Sequence, residues 1–343
     1  MEDYKRILVA SLGFGSGHNR AAAAVAEAMS VQFPDAEIKV VDFLTWGKNG
    51  WDKFTTFIYF TAIKYIPFVY HLLYQGLSSQ RWAHRILLRT YKKKMAIFLK
   101  GYPADLIIST HVFCAWASCA IKAEGWGIKA VWGIVTDFID DAYWNICPLD
   151  RFFVATEDLK DKLANKGIER DTIIVAPLPV SGKFHQKGER KELCKKIDTR
   201  LKPEMFTVLT LGGGNGLGGI YEVTKEMLHL PVQVLAVAGS NIKLKETLTA
   251  MKDSCPNLYV FGYIDNIHEL MDMADVCITK PGGITIAECL AKKLPMIIYG
   301  RPLPGPEAMN VDYLVNKKMA EHCTELAGLR KAVIKRLEQN SGG

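Results

Sequence analysis

Short apolar runs alternate with amphipathic stretches along almost the whole chain. The runs are Ile7–Ser11, Ile38–Val41, Leu106–Ser109, Ala130–Val135, Arg151–Val154 and Ile173–Val175, then Thr207–Leu211, Val232–Val237, Leu258–Phe261, Val276–Thr279 and Met296–Tyr299. Each has the length of a strand, and the segments between them carry helical spacing, the pattern of parallel sheets wrapped by helices. A break falls around Pro177–Gly188, where two prolines and a glycine precede a charged helix. It leaves two similar units, each opening with a strand that feeds a glycine-rich turn: LVASLGFGSGH in the first, VLTLGGGNGLGG in the second. The expected fold class is α/β, two Rossmann-like domains facing across a cleft, with closure on a bound ligand as the expected motion. The boundaries are residues 1–180, residues 181–325, and a final amphipathic helix over 326–343 that is expected to return toward the first domain.

A chain of 343 residues with 49% hydrophobic content agrees with two cores, because a single core rarely grows beyond about 250–300 residues. Its eight cysteines form no CxxC pair and no metal-ligand spacing, and they read as reduced thiols of a cytosolic protein. MEDYKR runs directly into the strand-like ILVASL with no apolar leader, and Lys64 interrupts the best stretch for a spanning helix.

Charge adds a local feature. Between Trp46 and Lys100 stand ten Lys and Arg residues against one acid, Asp52, although the whole chain carries only +7. The rest is therefore slightly acidic, which argues against a general nucleic-acid binder and for one basic face. Ten aromatic residues lie between Trp46 and Tyr74. Aromatic rings beside Lys and Arg suit a segment lying on an anionic lipid surface, each nearby cation gaining about 1 kcal/mol there.

The densest chemistry lies in Thr279–Asn310. A strand ends in Lys280, Pro281, Gly282 and Gly283, and a helix follows through Thr285, so backbone N–H groups and the positive end of a helix meet any anion held there. Glu288 sits one turn into that helix. Phosphates would repel its carboxylate, so ribose hydroxyls are the expected partners. The loop Gly305–Glu307 follows the next strand, and a further helix runs from near Asn310. Gly213, Gly214 and Asn215 form the tip of the glycine turn that opens the second domain, where amides can point at oxygen atoms. No DxD motif is present, so Lys280 and the helix ends are expected to meet diphosphate charge without a metal or other cofactor.

In the first domain, residues 13–18 form a glycine turn ending in His18, and the spacing does not match the dinucleotide fingerprint. Asp137 ends the run AVWGIVT, at the carboxyl edge of a strand where α/β sheets place working residues.

Taken in order, these residues resemble a GT-B glycosyltransferase family that includes the bacterial enzyme adding N-acetylglucosamine to the lipid-linked peptidoglycan precursor. The resemblance runs from about Arg6 to Ala320. It is stronger to the family's diacylglycerol branch, the monogalactosyldiacylglycerol synthases and processive diacylglycerol β-glucosyltransferases. It implies an inverting transferase that moves a hexose from UDP-glucose or UDP-galactose to diacylglycerol at the cytoplasmic face of the cell membrane, with anionic lipids as partners and no nucleic acid. His18 resembles the histidine of the family's GxGH motif, and Thr136-Asp137 preserves its threonine-aspartate, so His18 and Asp137 are the candidate catalytic residues. Phe261, Tyr263 and Ile264 match positions that frame uracil, and Glu307 and Asn310 match the donor-sugar region. Two departures stand out: Asp141-Ala142 replace the family's histidine, often followed by proline, before Tyr143-Trp144, and Pro306 replaces a glutamine. The alternatives are a polyprenyl-linked acceptor and a non-catalytic nucleotide-sugar-binding regulator.

Overall fold

The structure is a computed structural model that describes residues 3–13, 16–47, 81–138, 144, 148–302 and 305–341. Most of the aromatic segment, residues 48–80, and the Asp141-Ala142 departure lie outside the described residues. The chain divides into two compact units, Met1–Ser181 with Leu303–Met309, and Gly182–Pro302 with Asn310–Gly343.

The first unit carries six parallel strands: β1 (Arg6–Ser11), β2 (Glu37–Asp42), β3 (Leu106–Ser109), β4 (Ala130–Ile134), β5 (Arg151–Val154) and β6 (Ile173–Val175), in the order β2-β1-β3-β4-β5-β6. Strands β3 and β4 are buried at every position, as a sheet covered on both faces requires. Alternate residues feed two cores. Ile7, Val9, Ile108 and Trp132 pack with Ala22 and Val25 of helix α1 (Ser16–Gln32). Leu8, Ala10, Ile107 and Val131 pack with Met95 and Leu99 of α2 (Arg81–Gly101), and with Cys114, Ala117 and Ile121 of α3 (Val112–Ala123). Helix α4 (Glu157–Asn165) is capped by Thr156, whose hydroxyl accepts the Leu159 N–H.

From β1 the chain steps outward to β2, then returns to place β3 on the opposite side of β1. This reversal opens a crevice at the carboxyl ends of β1 and β3, the place where such sheets take ligands.

The second unit repeats the plan with β7 (Thr207–Leu211), β8 (Gln233–Val237), β9 (Leu258–Phe261), β10 (Val276–Thr279), β11 (Met296–Tyr299) and β12 (Ala320–Cys323), in the order β12-β11-β10-β7-β8-β9. Here the reversal lies between β7 and β10. Its helices are α5 (Arg190–Ile197), α6 (Ile220–Met227), α7 (Ile242–Thr249), α8 (Ile267–Met273), α9 (Gly283–Ala291), α10 (Pro306–Asn316) and α11 (Leu326–Ser341).

Strand β12 has no counterpart among the expected apolar runs. AEHC is an edge strand, only partly buried, so the pairing with β11 rather than an apolar pattern makes it a strand. In the final helix Leu329, Ala332 and Val333 join the core of the second unit, because the apolar residues recur at spacings that face α6 and the sheet.

Candidate active site

In the second unit the two glycine loops stand side by side, because they follow the two strands at the reversal, β7 and β10. The loop after β7 is locked against the turn after β8. A Cβ on Gly216 would stand 2.1 Å from the Ala238 carbonyl oxygen, and one on Gly239 would stand 2.4 Å from that of Gly214. Ser240 then donates twice to the Gly214 carbonyl, from its N–H at 2.8 Å and its hydroxyl at 3.0 Å. Gly213, Gly214 and Asn215 are thus held in a braced turn.

Lys280 links the two loops. Its Cε lies 3.3 Å from where a Gly213 Cβ would be, and its Nζ 3.5 Å from the corresponding point on Gly282. Pro281 is pinned through its carbonyl, which accepts from Nδ2 of the fully buried Asn310 at 3.2 Å. Helix α9 then starts with no side-chain cap at Gly282, so the first-turn N–H groups of Gly283, Ile284 and Thr285 lack intrahelical acceptors. Helix α6 likewise starts from Gly219 without a side-chain cap. Two positive helix ends and one ammonium group therefore meet at a single sheet reversal, which suits a diphosphate.

Glu288 is 2% exposed, one turn beyond Thr285 on the same helix. Phe261, Tyr263 and Ile264 close β9, two strands away from β7. The Phe261 carbonyl accepts from Ala238 N–H at 2.8 Å, tying this edge to the braced loop. Tyr263 is 60% exposed. Gly305 precedes helix α10 and Glu307 lies in its first turn, three residues before Asn310.

In the first unit, Asp42 braces the turn after β1. Its carboxylate accepts from the Gly13 and Leu44 N–H groups at 3.0 and 2.9 Å and from Asn19 Nδ2 at 3.0 Å. The acid at the end of β2 is therefore occupied by the protein itself. His18 follows in the first turn of α1. Its Nδ1 lies 2.9 Å from the Thr110 carbonyl oxygen and 3.1 Å from Thr136 Oγ1. A carbonyl can only accept, so Nδ1 carries the proton and Nε2 keeps the lone pair. Desolvation lowers the His18 pKa below its ordinary 6.5, against the opposing pull of the Asp137 charge and the Thr110 carbonyl. The ring is neutral at neutral pH, and its Nε2 is a base.

His111, which the sequence did not single out, caps α3 by accepting from the Phe113 N–H through Nδ1 at 3.2 Å. Its ring meets that of His18 edge to face at 4.8 Å. Burial, and secondarily His18, hold its pKa well below 6.5. A histidine opening a helix just after an apolar strand was the available signal.

Residues 18–180 match the family described as monogalactosyldiacylglycerol (MGDG) synthase, and residues 208–339 match the glycosyltransferase family 28 C-terminal domain. The two matches together mark a GT-B glycosyltransferase, and the first unit is similar to the monogalactosyldiacylglycerol synthases. It is 28% identical over 324 residues to the processive diacylglycerol β-glucosyltransferase of Bacillus cereus (strain 03BB102), covering 92% of this chain and 81% of that one. The enzyme of the same name from Bacillus anthracis (strain A0248) is also 28% identical, with the same coverage. Among solved structures, MurG from Acinetobacter baumannii matches with TM-score 0.55 and 14% identity over 98% of this chain and 92% of that one. The co-structure of S. aureus MnaA with UDP matches with TM-score 0.61 and 11% identity, over 98% and 89%. At these identities the structural matches bear on the fold alone.

The basic surplus of this glycosyltransferase needs correction at two positions. Lys94 is 8% exposed and donates to the Phe43 carbonyl at 3.0 Å, while Lys92 pairs with Glu124. Of the run Lys92–Lys94, only Lys93 is exposed. Helical register sets them apart: Lys94 lies on the face of α2 that meets Phe43, and Lys92 reaches Glu124 at the end of α3. Among the described residues, no helix is long and apolar enough to cross a membrane.

Proposed function

We propose that this chain transfers a hexose, glucose or galactose, from its UDP carrier to the free hydroxyl of diacylglycerol, with inversion to a β-linked glycolipid. The observation that carries the reading is the reversal in the second unit, where Gly213–Asn215, Lys280 and the uncapped start of α9 converge. The diphosphate lies there, Glu288 takes the ribose hydroxyls, and Phe261, Tyr263 and Ile264 frame the base. Glu307 and Asn310 belong to the sugar end of the donor.

The acceptor belongs to the first unit. Its hydroxyl oxygen attacks the anomeric carbon while the bond to the diphosphate oxygen breaks, and that oxygen leaves with the electron pair. The hydroxyl proton passes to Nε2 of His18, and the Asp137 charge stabilises the imidazolium that results. Charge developing on the leaving diphosphate is met by amides, helix ends and Lys280. Turnover is therefore expected to persist in EDTA, and a loss beyond about tenfold, restored by a divalent cation, would contradict that.

Work on a membrane lipid implies attachment to the cytoplasmic face of the cell membrane, and the relatives' names support a lipid acceptor. The decisive test supplies vesicles containing diacylglycerol with a panel of UDP-sugars, then measures released UDP and identifies glycolipid by mass and by sugar standards. Glycosylated diacylglycerol is expected. Transfer only to a polyprenyl-linked acceptor, or UDP-sugar binding without transfer, would overturn the reading.

A further inference from the structure

We propose that His111 is a positioning residue for the base, holding the His18 ring in the orientation that leaves Nε2 to receive the acceptor's proton. The inference rests on the reading of His18 as the base of a transferase.

Among the described residues, the Thr110 carbonyl and the Thr136 hydroxyl both lie against Nδ1 of His18. They fix the proton on that nitrogen and anchor that edge of the ring, and the edge that carries Nε2 is held by packing. The second constraint comes from His111, whose ring stands 4.8 Å away at an interplanar angle of 67°. His111 is itself immobilised on both sides. Its Nδ1 caps α3 through the Phe113 N–H, and its ring lies 5.0 Å from the Phe113 ring.

That cap has a chemical consequence. The Nδ1 lone pair of His111 is committed to an N–H donor, so protonation there would break the start of α3, and the neutral ring must carry its own proton on Nε2. His111 therefore does not compete for the proton released by the acceptor. The charged groups that bear on the pair are consistent with this division. Asp137 favours the charged form of His18, whereas the charge opposing protonation of His111 is that of His18 itself. One positive charge can form, and it forms on the ring beside Asp137.

Two variants separate the ring from the cap. His111→Asn keeps an oxygen able to cap α3 but removes the ring. His111→Phe keeps a ring of similar reach but removes the acceptor. The readouts are nuclear Overhauser contacts of the His18 ring with Thr110 and Thr136 in the resting protein, which need no turnover, and steady-state kinetics with thermal unfolding alongside. The expectation for His111→Asn is weakened His18 ring contacts and a kcat lower by about tenfold to a hundredfold, with KM for the UDP-sugar unchanged. His111→Phe should keep the parental ring contacts and a kcat within about threefold of the parent, even with a lower unfolding temperature. Parental ring contacts and kcat in His111→Asn would reduce His111 to a helix cap and overturn the proposal. So would weakened ring contacts in His111→Phe. The expected pattern of ring contacts without any transferase activity would preserve the positioning role and instead refute the assigned reaction.

Discussion

Replacing Gly239 by alanine should loosen the diphosphate cradle without altering any group assigned to touch the ligand. Gly239 has φ 59°, and its added Cβ would stand 2.4 Å from the Gly214 carbonyl oxygen, a backbone atom with no flexible end to swing aside. A left-handed alanine costs roughly 1–2 kcal/mol. Moving Gly214 away also breaks two bonds from Ser240, at 2.8 and 3.0 Å, each worth about 0.5–1.5 kcal/mol. The total is roughly 2–5 kcal/mol, divided between lower stability and a displaced loop. Since about 1.4 kcal/mol is a factor of ten, even a third to a half of it appearing in binding weakens UDP affinity by roughly tenfold. Gly218→Ala is the control. Its φ is 90°, but the nearest atom to the new Cβ is Lys280 Cβ at 3.5 Å, an ordinary contact, so it carries backbone strain alone. Calorimetric titration with UDP and a thermal melt on each variant measure both shares. UDP affinity unchanged in Gly239→Ala, or equal damage from Gly218→Ala, would refute the braced-loop argument.

Glu288→Gln should weaken UDP binding by about tenfold, because a charge-assisted bond to ribose is worth roughly 1.5–3 kcal/mol; unchanged affinity in the same titration would remove the ribose assignment. Lys94→Ala leaves the Phe43 carbonyl unpaired and should lower stability by about 1–3 kcal/mol in urea unfolding, whereas the exposed Lys93→Ala should stay within about 0.5 kcal/mol. Both His18 and His111 titrate below 6.5 in the folded state. Below that pH the unfolded chain binds protons that the folded chain does not, so stability is lost as pH falls from 6.5 toward the folded values. Melting temperatures from pH 7.5 to 5 should show this fall, with a shallower one in His111→Asn; an identical slope would contradict it.

The strands with apolar patterns were legible because both faces of each sheet are covered, so burial writes itself into consecutive residues. β12 was not, since an edge strand takes its backbone pairing from β11 and needs no apolar run. The glycine loops announced themselves, but the residues that brace them did not. Gly239, Ser240 and Asp42 act through contacts 25 to 29 residues away in sequence, which no local spacing encodes. His111 was hidden for a similar reason, as its neighbour His18 lies on another element. The lysines of α2 misled because composition counts charge while register decides which side chains face inward.

The most direct measurement is a crystal structure of the protein with UDP. The account predicts the diphosphate against the amides of Gly213, Gly214 and Gly283, with Lys280 beside it and the ribose on Glu288. Density for the nucleotide on the first unit, or at the opposite ends of the second unit's strands, would contradict it.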